Sequence, residues 1–260
     1  MIYVENKKRK LERLQTQYPN AIILDITSSS DKMYAQLLSP FYPHYNIPIP
    51  FTDNLTAASV EGIWQGLKVF QNEDVCFSSF KNDTMKDLKR TVRTHGMPLG
   101  HRKGVYGTEI LSYFDARMLI YLPTYKWVLD NVERVHNVVE RIKSQSEIQD
   151  IVLLDYNTNI DVRDVSKPIS HAGLVKLYIE GNYPSYDQGL VPYSVSELEA
   201  IKASKKTSSP YTASARHTRH SRVYALGRRV LRLRRFAHPR RFMRMSGRKN
   251  ALLHGSMRRP

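Results

Sequence analysis

Three polar side chains at helical spacing are the first candidates for chemistry in this sequence. Glu61, Gln65 and Lys68 fall within roughly 60° of one another on a helix that turns about 100° per residue. Trp64 borders this row, and Gly62 lies on a different face where another element can approach closely. A carboxylate, an amide and an amine in one row can transfer a proton, orient a substrate and hold an anion. The alternative interpretation is a solvated helix face without a function.

A second candidate is a glycine-flanked basic segment between Gly100 and Gly104. Glycines free backbone amides to point at an anion, and an arginine can contact two phosphate oxygens at once. The segment therefore predicts a phosphate site that uses His101, Arg102 and Lys103. A charged surface turn remains the alternative, and a solvated loop histidine is the alternative to a proton shuttle at His101.

A third candidate is the polar loop that follows the apolar run Ile151 to Leu154. Asp155, Asn157 and Asp161 lie in this loop, just after a predicted strand, where sugar hydroxyls are commonly bound. Turns closed by Asp and Asn side chains explain the composition equally well. The spacing of the acidic residues fits no EF-hand, and we expect no metal or redox cofactor.

The segment from Leu38 to Phe70 resembles the opening of the NADAR family, small glycosidase-like proteins that act on ribosylated or ADP-ribosylated compounds. That family pairs a Ser-Asn-Phe-Tyr-like segment with a Ser-x-Glu-x-x-x-Gln-x-x-Lys helix. The residues that match are Ser39, Phe41, Tyr42 and Pro43 in the first part and Ser59, Glu61, Gln65 and Lys68 in the second.

The resemblance implies an α+β fold and cleavage of an N-glycosidic bond. Under it, Glu61 is the catalytic acid or an electrostatic stabiliser of the positively charged sugar, and Gln65 orients the ribose or base. Lys68 is either a nucleophile that forms a Schiff base or a phosphate ligand. Asp155 is the third catalytic candidate, and Trp64 is a substrate-binding residue.

The pattern of apolar residues predicts a single α+β domain over residues 1–202, mainly helical with a few short strands. Strands are predicted at residues 21–26 and 151–154, and extended chain at residues 38–53 because of its four prolines. Helices are predicted at residues 4–17, 56–70, 77–93, 106–121, 123–144, 170–180 and 194–202. Three tyrosines, Tyr113, Tyr121 and Tyr125, are candidates either for a wall that stacks a base or for ordinary core.

The net charge of +16 is concentrated at one end of the chain. From Ala203 to Pro260 the sequence has 14 Arg and 3 Lys but no acidic residue, which leaves 23 basic and 24 acidic residues in positions 1–202. We expect this arginine-rich tail to be disordered or to derive from another reading frame or a vector. A basic amphipathic helix that contacts nucleic acid is the alternative.

Cellular location and function follow as expectations. The lone cysteine, Cys76, and the charged first residues predict a cytoplasmic protein that is neither exported nor membrane-spanning. The predicted function is hydrolysis of a ribosyl N-glycosidic bond in an ADP-ribosyl or nucleotide-like substrate, including one carried on nucleic acid. The alternatives are a non-enzymatic nucleic-acid-binding protein that uses the tail, and a degenerate domain that binds ADP-ribose without cleaving it. The sequence does not determine the oligomeric state.

Overall fold

A computed structural model describes the backbone of residues 1–207 and the side chains of residues 1–204. Its centre is a parallel three-stranded sheet in the order β1-β8-β2, in which the apolar strand β8 lies in the middle with Ile151, Val152 and Leu153 fully buried. Two antiparallel sheets, β3-β4 and β5-β6-β7, lie outside it. The strands are β1 (Ile2–Asn6), β2 (Ile22–Asp25), β3 (Ile47–Pro48), β4 (Thr56–Ala57), β5 (Lys68–Val69), β6 (Gly100–Arg102), β7 (Ile110–Leu111) and β8 (Ile151–Asp155).

Helices surround the sheets and complete an α+β domain. The two longest in the core, α7 and α8, meet at Val132, and α8 and α9 pack against the central strand. The α-helices are α1 (Leu11–Gln17), α2 (Met33–Gln36), α3 (Val60–Gly66), α4 (Phe77–Lys81), α5 (Val92–His95), α6 (Tyr113–Ala116), α7 (Leu122–Asn131), α8 (Glu133–Ile148), α9 (His171–Ile179) and α10 (Val195–Thr207). A π-helix (Arg117–Tyr121) joins α6 to α7, and a 3-10 helix (Tyr186–Gln188) precedes α10.

Several predicted helices are shorter than expected or contain strands. Residues 4–17 divide into the end of β1 and helix α1, because Ile2–Asn6 pairs with β8 about 150 residues later. Residues 56–70 divide into β4, α3 and β5, and residues 106–121 contain β7, α6 and the π-helix. In each case strand pairing overrides local helix preference: β1 and β5 pair with distant segments, and β4 and β7 pair with hairpin neighbours.

Other predicted boundaries also change. Helix α4 ends at Lys81, and Val92–His95 is a separate short helix, so residues 77–93 are not one helix. The predicted helix 123–144 breaks at Val132, which has an extended backbone, and its second half continues to Ile148. Strand β6 occupies the first three residues of the glycine-flanked basic segment between Gly100 and Gly104, which the sequence predicts as a loop. The predictions for β2, β8 and α9 are confirmed within one or two residues at each end.

The structure describes only the first residues of the predicted arginine-rich tail. Helix α10 runs from Val195 past the predicted domain boundary at residue 202 to Thr207. The rest of the arginine-rich tail, from residue 208 to residue 260, lies outside the described residues. Along the part of the chain that is described, no helix has both the length and the apolar character required to cross a bilayer.

Candidate functional site

A cavity of about 720 Å³ opens beside the carboxyl ends of two parallel strands. Thr27 and Ser28 follow β2, and Asp155 with Asn157 follows or ends β8, so both strand ends contribute to one wall. Helix α3 and the π-helix also contribute lining residues. Ligands bind preferentially at the carboxyl ends of parallel strands in open sheets, and most small-molecule sites have volumes of about 300–1,000 Å³. Position and size therefore make this cavity the candidate site.

Helix α3 carries a carboxylate into the cavity wall. Its first turn is fixed by Ser59, whose hydroxyl accepts a hydrogen bond from the Gly62 amide at 3.0 Å, and by the Glu61 amide, which donates to the Pro40 carbonyl at 2.8 Å. The Glu61 side chain is only 7% exposed. The chain therefore holds a buried acidic group at the edge of a cavity, next to the segment around Pro40.

Glycines in α3 allow helix α4 to pack directly against its backbone. A Cβ atom added to Gly62 would lie 2.6 Å from the Ser79 carbonyl oxygen, and one added to Gly66 would lie 2.2 Å from the Phe80 ring. The close approach predicted at Gly62 is thus confirmed, and Gly66 allows the same approach one turn later. Because α4 covers this face, α3 can turn its polar face toward the cavity.

Gln65 connects Glu61 to Lys68, and its amide orientation is fixed by its partners. The Lys68 ammonium and the Arg90 backbone amide both donate to Gln65 Oε1, at 2.9 and 3.0 Å. Because neither partner can accept a hydrogen bond there, the NH2 group must face the other way, where Nε2 donates to Glu61 Oε1 at 2.7 Å. Glu61 Oε2 makes no hydrogen bond within the described residues and is the oxygen available to a substrate.

Burial changes the proton affinity of both ionisable groups in this row. Burial raises the pKa of the Glu61 carboxyl group, and the Gln65 hydrogen bond and the charges of Lys89, Lys68 and His171 oppose this rise without cancelling it. Burial also lowers the pKa of the Lys68 ammonium, against the attraction of Glu61. Both groups are shifted toward their neutral forms, as in sites where an acid must hold its proton near neutral pH.

A buried ion pair lies on the strand side of the cavity. His171 Nδ1 is 3.0 Å from Asp155 Oδ2, and His171 Nε2 is 3.0 Å from the Ile26 carbonyl oxygen. Both acceptors require a proton on the nitrogen that faces them, so the ring is a doubly protonated imidazolium. Burial disfavours that charge, but the Asp155 carboxylate outweighs burial and raises the pKa of His171.

Asp155 accepts hydrogen bonds from the start of α9 and from the residue that follows it in the chain. Ser170 Oγ donates to its Oδ2 at 2.7 Å, the Ala172 amide donates to the same oxygen at 3.4 Å, and the Tyr156 amide donates to Oδ1 at 2.6 Å. Burial alone would raise its pKa, but His171 and these hydrogen bonds lower the pKa of Asp155 to about 2. Asp155 is therefore ionised at neutral and mildly acidic pH, where it holds His171 in place.

Aromatic rings form the inner wall of the cavity. Trp64 meets Tyr113 and Tyr121 edge to face, with ring centroids 5.7 and 5.5 Å apart. All three side chains line the cavity. Tyr121 belongs to the π-helix, and such a turn often occurs at functional sites because it shifts the register of side chains. A flat ligand such as a nucleobase can stack or pack edgewise here.

The π-helix also places a buried arginine in the wall. Arg117 is 1% exposed, and its guanidinium donates to the carbonyl oxygens of Val162, Asp164 and Lys167 at 2.8, 3.1 and 2.7 Å. No carboxylate in the described residues forms an ion pair with it. Arg117 fixes the loop before α9 and leaves an unneutralised positive charge beside the cavity.

The structure brings six of the ten residues predicted from the sequence to this cavity. They are Glu61, Trp64, Gln65, Lys68, Asp155 and Asn157. The other four, His101, Arg102, Lys103 and Asp161, do not line it. The roles assigned to these residues remain predictions.

His101 lies behind the aromatic wall, in β6 next to β5. It is 1% exposed, and its ring packs against Trp64 at a centroid distance of 3.8 Å, with the two ring planes tilted by 33°. Neither ring nitrogen has a well-formed hydrogen bond in the described residues, although the Trp64 backbone weakly favours the charged ring. Burial lowers the pKa of His101 to about 3, with Lys68 adding to the effect. His101 is therefore a neutral support for Trp64.

The basic residues that follow His101 are engaged on the surface. Arg102 forms an ion pair with Asp74 and donates to the Thr108 carbonyl at 3.2 Å, and Lys103 pairs with Glu109 at 2.8 Å. Gly104 has a positive φ of 80°, and a Cβ there would lie 2.2 Å from the Phe51 carbonyl oxygen. The glycine thus serves a tight turn and close packing.

Asp161 lines a second, smaller cavity of about 300 Å³. Its Oδ1 accepts a hydrogen bond from the Arg163 amide at 3.0 Å, which closes a turn within the loop. Asn157 borders both cavities. The predicted polar loop is therefore split between the two.

Sequence reasoning missed His171, Arg117 and Lys89, which also line the main cavity. The sequence gives a local signal only for His171, which follows the helix cap Ser170. Within the described residues no three His, Cys, Asp or Glu side chains gather as a metal site.

A family model matches most of this chain. The model described as "Family of unknown function (DUF6939)" matches residues 6–175, and the chain belongs to this family. The matched range includes every residue that lines the main cavity. No curated protein matches the chain.

Proposed function

We propose that this DUF6939 protein hydrolyses the N-glycosidic bond of a ribosyl or ADP-ribosyl nucleotide, with Glu61 as the general acid. The observation that carries the proposal is the state of Glu61: a buried carboxyl group at a cavity, with one oxygen held by Gln65 and Oε2 available. Burial raises its pKa, which keeps a proton on the group at higher pH than usual. The resemblance of residues 38–70 to NADAR proteins supports the same chemistry.

In the proposed reaction the proton leaves Glu61 Oε2 for a ring nitrogen of the departing base as the bond between that base and the sugar C1 breaks. The sugar then carries positive charge on C1 and the ring oxygen. Glu61, now a carboxylate, stabilises that charge. A water molecule adds to C1 and returns a proton to Glu61, which restores the enzyme.

The remaining groups bind and position the substrate. The ring wall of Trp64, Tyr113 and Tyr121 accepts the base, and a nucleotide falls within the size range of the cavity. Asp155 acts as a positioning residue, because its oxygens already accept several hydrogen bonds. Lys68 is either a nucleophile at C1, which its lowered pKa favours, or a phosphate ligand.

The test is incubation of the protein with a DNA oligonucleotide ADP-ribosylated on guanine, with products separated by chromatography. Cleavage at C1 releases ADP-ribose and restores unmodified guanine, whereas cleavage of the pyrophosphate would release AMP. Borohydride added during turnover traps Lys68 as a secondary amine only if it forms a Schiff base, and Lys68→Met abolishes trapping. Absence of ADP-ribose release, with no binding of ADP-ribose, would contradict the proposal.

A further inference from the structure

The positive and negative charges of the side chains that line the main cavity do not sum to zero. The acidic ones are Glu61, Asp87 and Asp155, and the basic ones are Lys68, Lys89, Arg117 and His171. The ion pair of Asp155 with His171 cancels within itself. The remaining groups carry a surplus of positive charge, which increases when Glu61 holds a proton.

Two of these cations have unused hydrogen-bond donors. The Lys68 ammonium has three N–H bonds and donates one of them, to Gln65. The Lys89 ammonium makes no hydrogen bond or ion pair in the described residues, and it lies over the Phe41 ring, 5.5 Å from the ring centroid. Lys89 is exposed on the cavity side of its segment, whereas Lys68 is partly buried.

The two ammonium groups lie close enough to affect the same neighbours. Both act electrostatically on Glu61, and Lys89 and Arg90 together disfavour the charge on Lys68. An anion between Lys68 and Lys89 would relieve this repulsion and use their free donors. Phosphate oxygens are well suited, because each can accept several charge-assisted hydrogen bonds.

We propose that Lys68 and Lys89 form a subsite for the phosphate groups of a nucleotide-sized ligand. This inference deepens the proposed function and rests on it, since it places the diphosphate of an ADP-ribosyl substrate at the Lys89 side of the cavity. It assigns to these lysines the role that the sequence suggested for Arg102 and Lys103, whose side chains are paired with Asp74 and Glu109.

The test measures ligand binding to the full chain through tryptophan fluorescence. The chain has two tryptophans, of which Trp64 lines the cavity, and neither lies in the arginine-rich tail that would itself attract phosphate. Inorganic pyrophosphate, ADP-ribose and adenosine are titrated into the wild type, Lys89→Ala and Lys86→Ala. Lys86 is an exposed lysine of the same segment that does not line the cavity, so it serves as the matched control.

We expect Lys89→Ala to weaken binding of pyrophosphate and ADP-ribose at least tenfold, with adenosine unchanged and Lys86→Ala like the wild type. Equal pyrophosphate affinity in Lys89→Ala and the wild type, or no pyrophosphate response at all, would overturn the subsite. A Lys89-dependent response to an unmodified oligonucleotide but not to ADP-ribose would overturn its assignment to a small nucleotide. Pyrophosphate has no glycosidic bond, so failed hydrolysis with intact Lys89-dependent binding would contradict only the proposed function.

Discussion

Glu61 combines two properties that rarely occur together in a helix: a buried carboxyl group and an open oxygen that faces a cavity. The burial that makes it a suitable acid also costs stability once the group ionises. The proposed function therefore requires a buried carboxyl group at position 61, whereas the stability of the fold would be greater without one.

Replacing Glu61 by Gln should raise the stability of the protein at neutral and alkaline pH. The folded-state pKa lies above the ordinary value of 4.5, so the group favours folding below pH 4.5 and loses this contribution as the pH rises through the raised pKa. Thermal unfolding of the wild type and Glu61→Gln at pH 4 and pH 8 measures the effect. The melting temperature of the variant should exceed that of the wild type by a margin that grows with pH, and a margin independent of pH would refute the burial argument.

The Asp155 and His171 pair should stabilise the fold most at mildly acidic pH. The lowered pKa of Asp155 gives stability above pH 3.8 that is lost as the pH falls toward about 2. The raised pKa of His171 gives stability below pH 6.5 that is lost as the pH rises through its folded value. Between these limits Asp155→Asn should cost about 3–5 kcal/mol, because it leaves a buried imidazolium unpaired.

Urea unfolding of the wild type and Asp155→Asn at pH 3, 5.5 and 9 tests this window. The difference in unfolding free energy should be largest at pH 5.5. A difference that is equal at all three pH values would show that the pair is held by packing and not by charge.

The sequence identifies residues of the site only where a local pattern marks them, as for Asp155 and Asn157 in the polar loop after a predicted strand. The row of Glu61, Gln65 and Lys68 follows from helical spacing, and the structure places all three at the cavity. Lys89 and Arg117 come from segments without a local pattern, so only the tertiary fold shows that they belong there. The sequence suggests a loop at His101, whereas the residue lies in strand β6. A glycine-flanked basic segment is compatible with either structure.

At the scale of elements, helix α3 is positioned by the glycine face that contacts α4. Gly66→Ala should destabilise the protein by about 1–3 kcal/mol, although alanine favours helices, because the new methyl group overlaps the Phe80 ring. Chemical denaturation measures the loss. The double variant with Phe80→Leu should recover part of it, and strictly additive effects would argue against direct contact.

Gly62→Ala provides the matched comparison within the same helix. The added methyl group there meets the Ser79 backbone carbonyl, which cannot change rotamer. The same Phe80→Leu change should therefore give no recovery for Gly62→Ala.

The elements that the sequence predicts best are those with a strong local signal. Strand β8 is a continuous apolar run, and α9 begins at a capping serine. The sequence assigns β1, β5 and β7 to helices, because each is a short strand that forms only through pairing, β1 and β5 with distant segments and β7 with its hairpin neighbour β6. The spacing of apolar residues along the chain does not show which strands will pair.

At the scale of the whole molecule, the described residues contain a hydrophobic core cluster that extends from Ile2 to Val175. Later residues of the described part, such as Tyr183 and Leu190, are partly buried and pack against it. A chain that ends at residue 207 should therefore melt at the same temperature as the full chain and retain any hydrolase activity. A lower melting temperature would show that residues 208–260 contribute to the fold.

The tail should dominate binding to unmodified nucleic acid. Its 14 Arg and 3 Lys, without acidic residues, give a charge that attracts phosphate backbones without sequence preference. Binding of the full chain to an oligonucleotide should fall steeply between about 50 and 200 mM salt. The shortened chain should bind much more weakly, and equal binding would place the nucleic-acid surface on the folded domain.

The most direct test of the account is the rate of ADP-ribose release from guanine-ADP-ribosylated DNA by the wild type, Glu61→Gln and Glu12→Gln. Glu12 is an exposed carboxylate in α1 that does not line the cavity, so its variant controls for a general loss of charge. We predict release by the wild type and Glu12→Gln, and a loss of about 10²–10⁴-fold in Glu61→Gln with ADP-ribose binding retained. Equal release by all three proteins, or none by the wild type, would contradict the assignment of the Glu61 cavity as a glycosidase site.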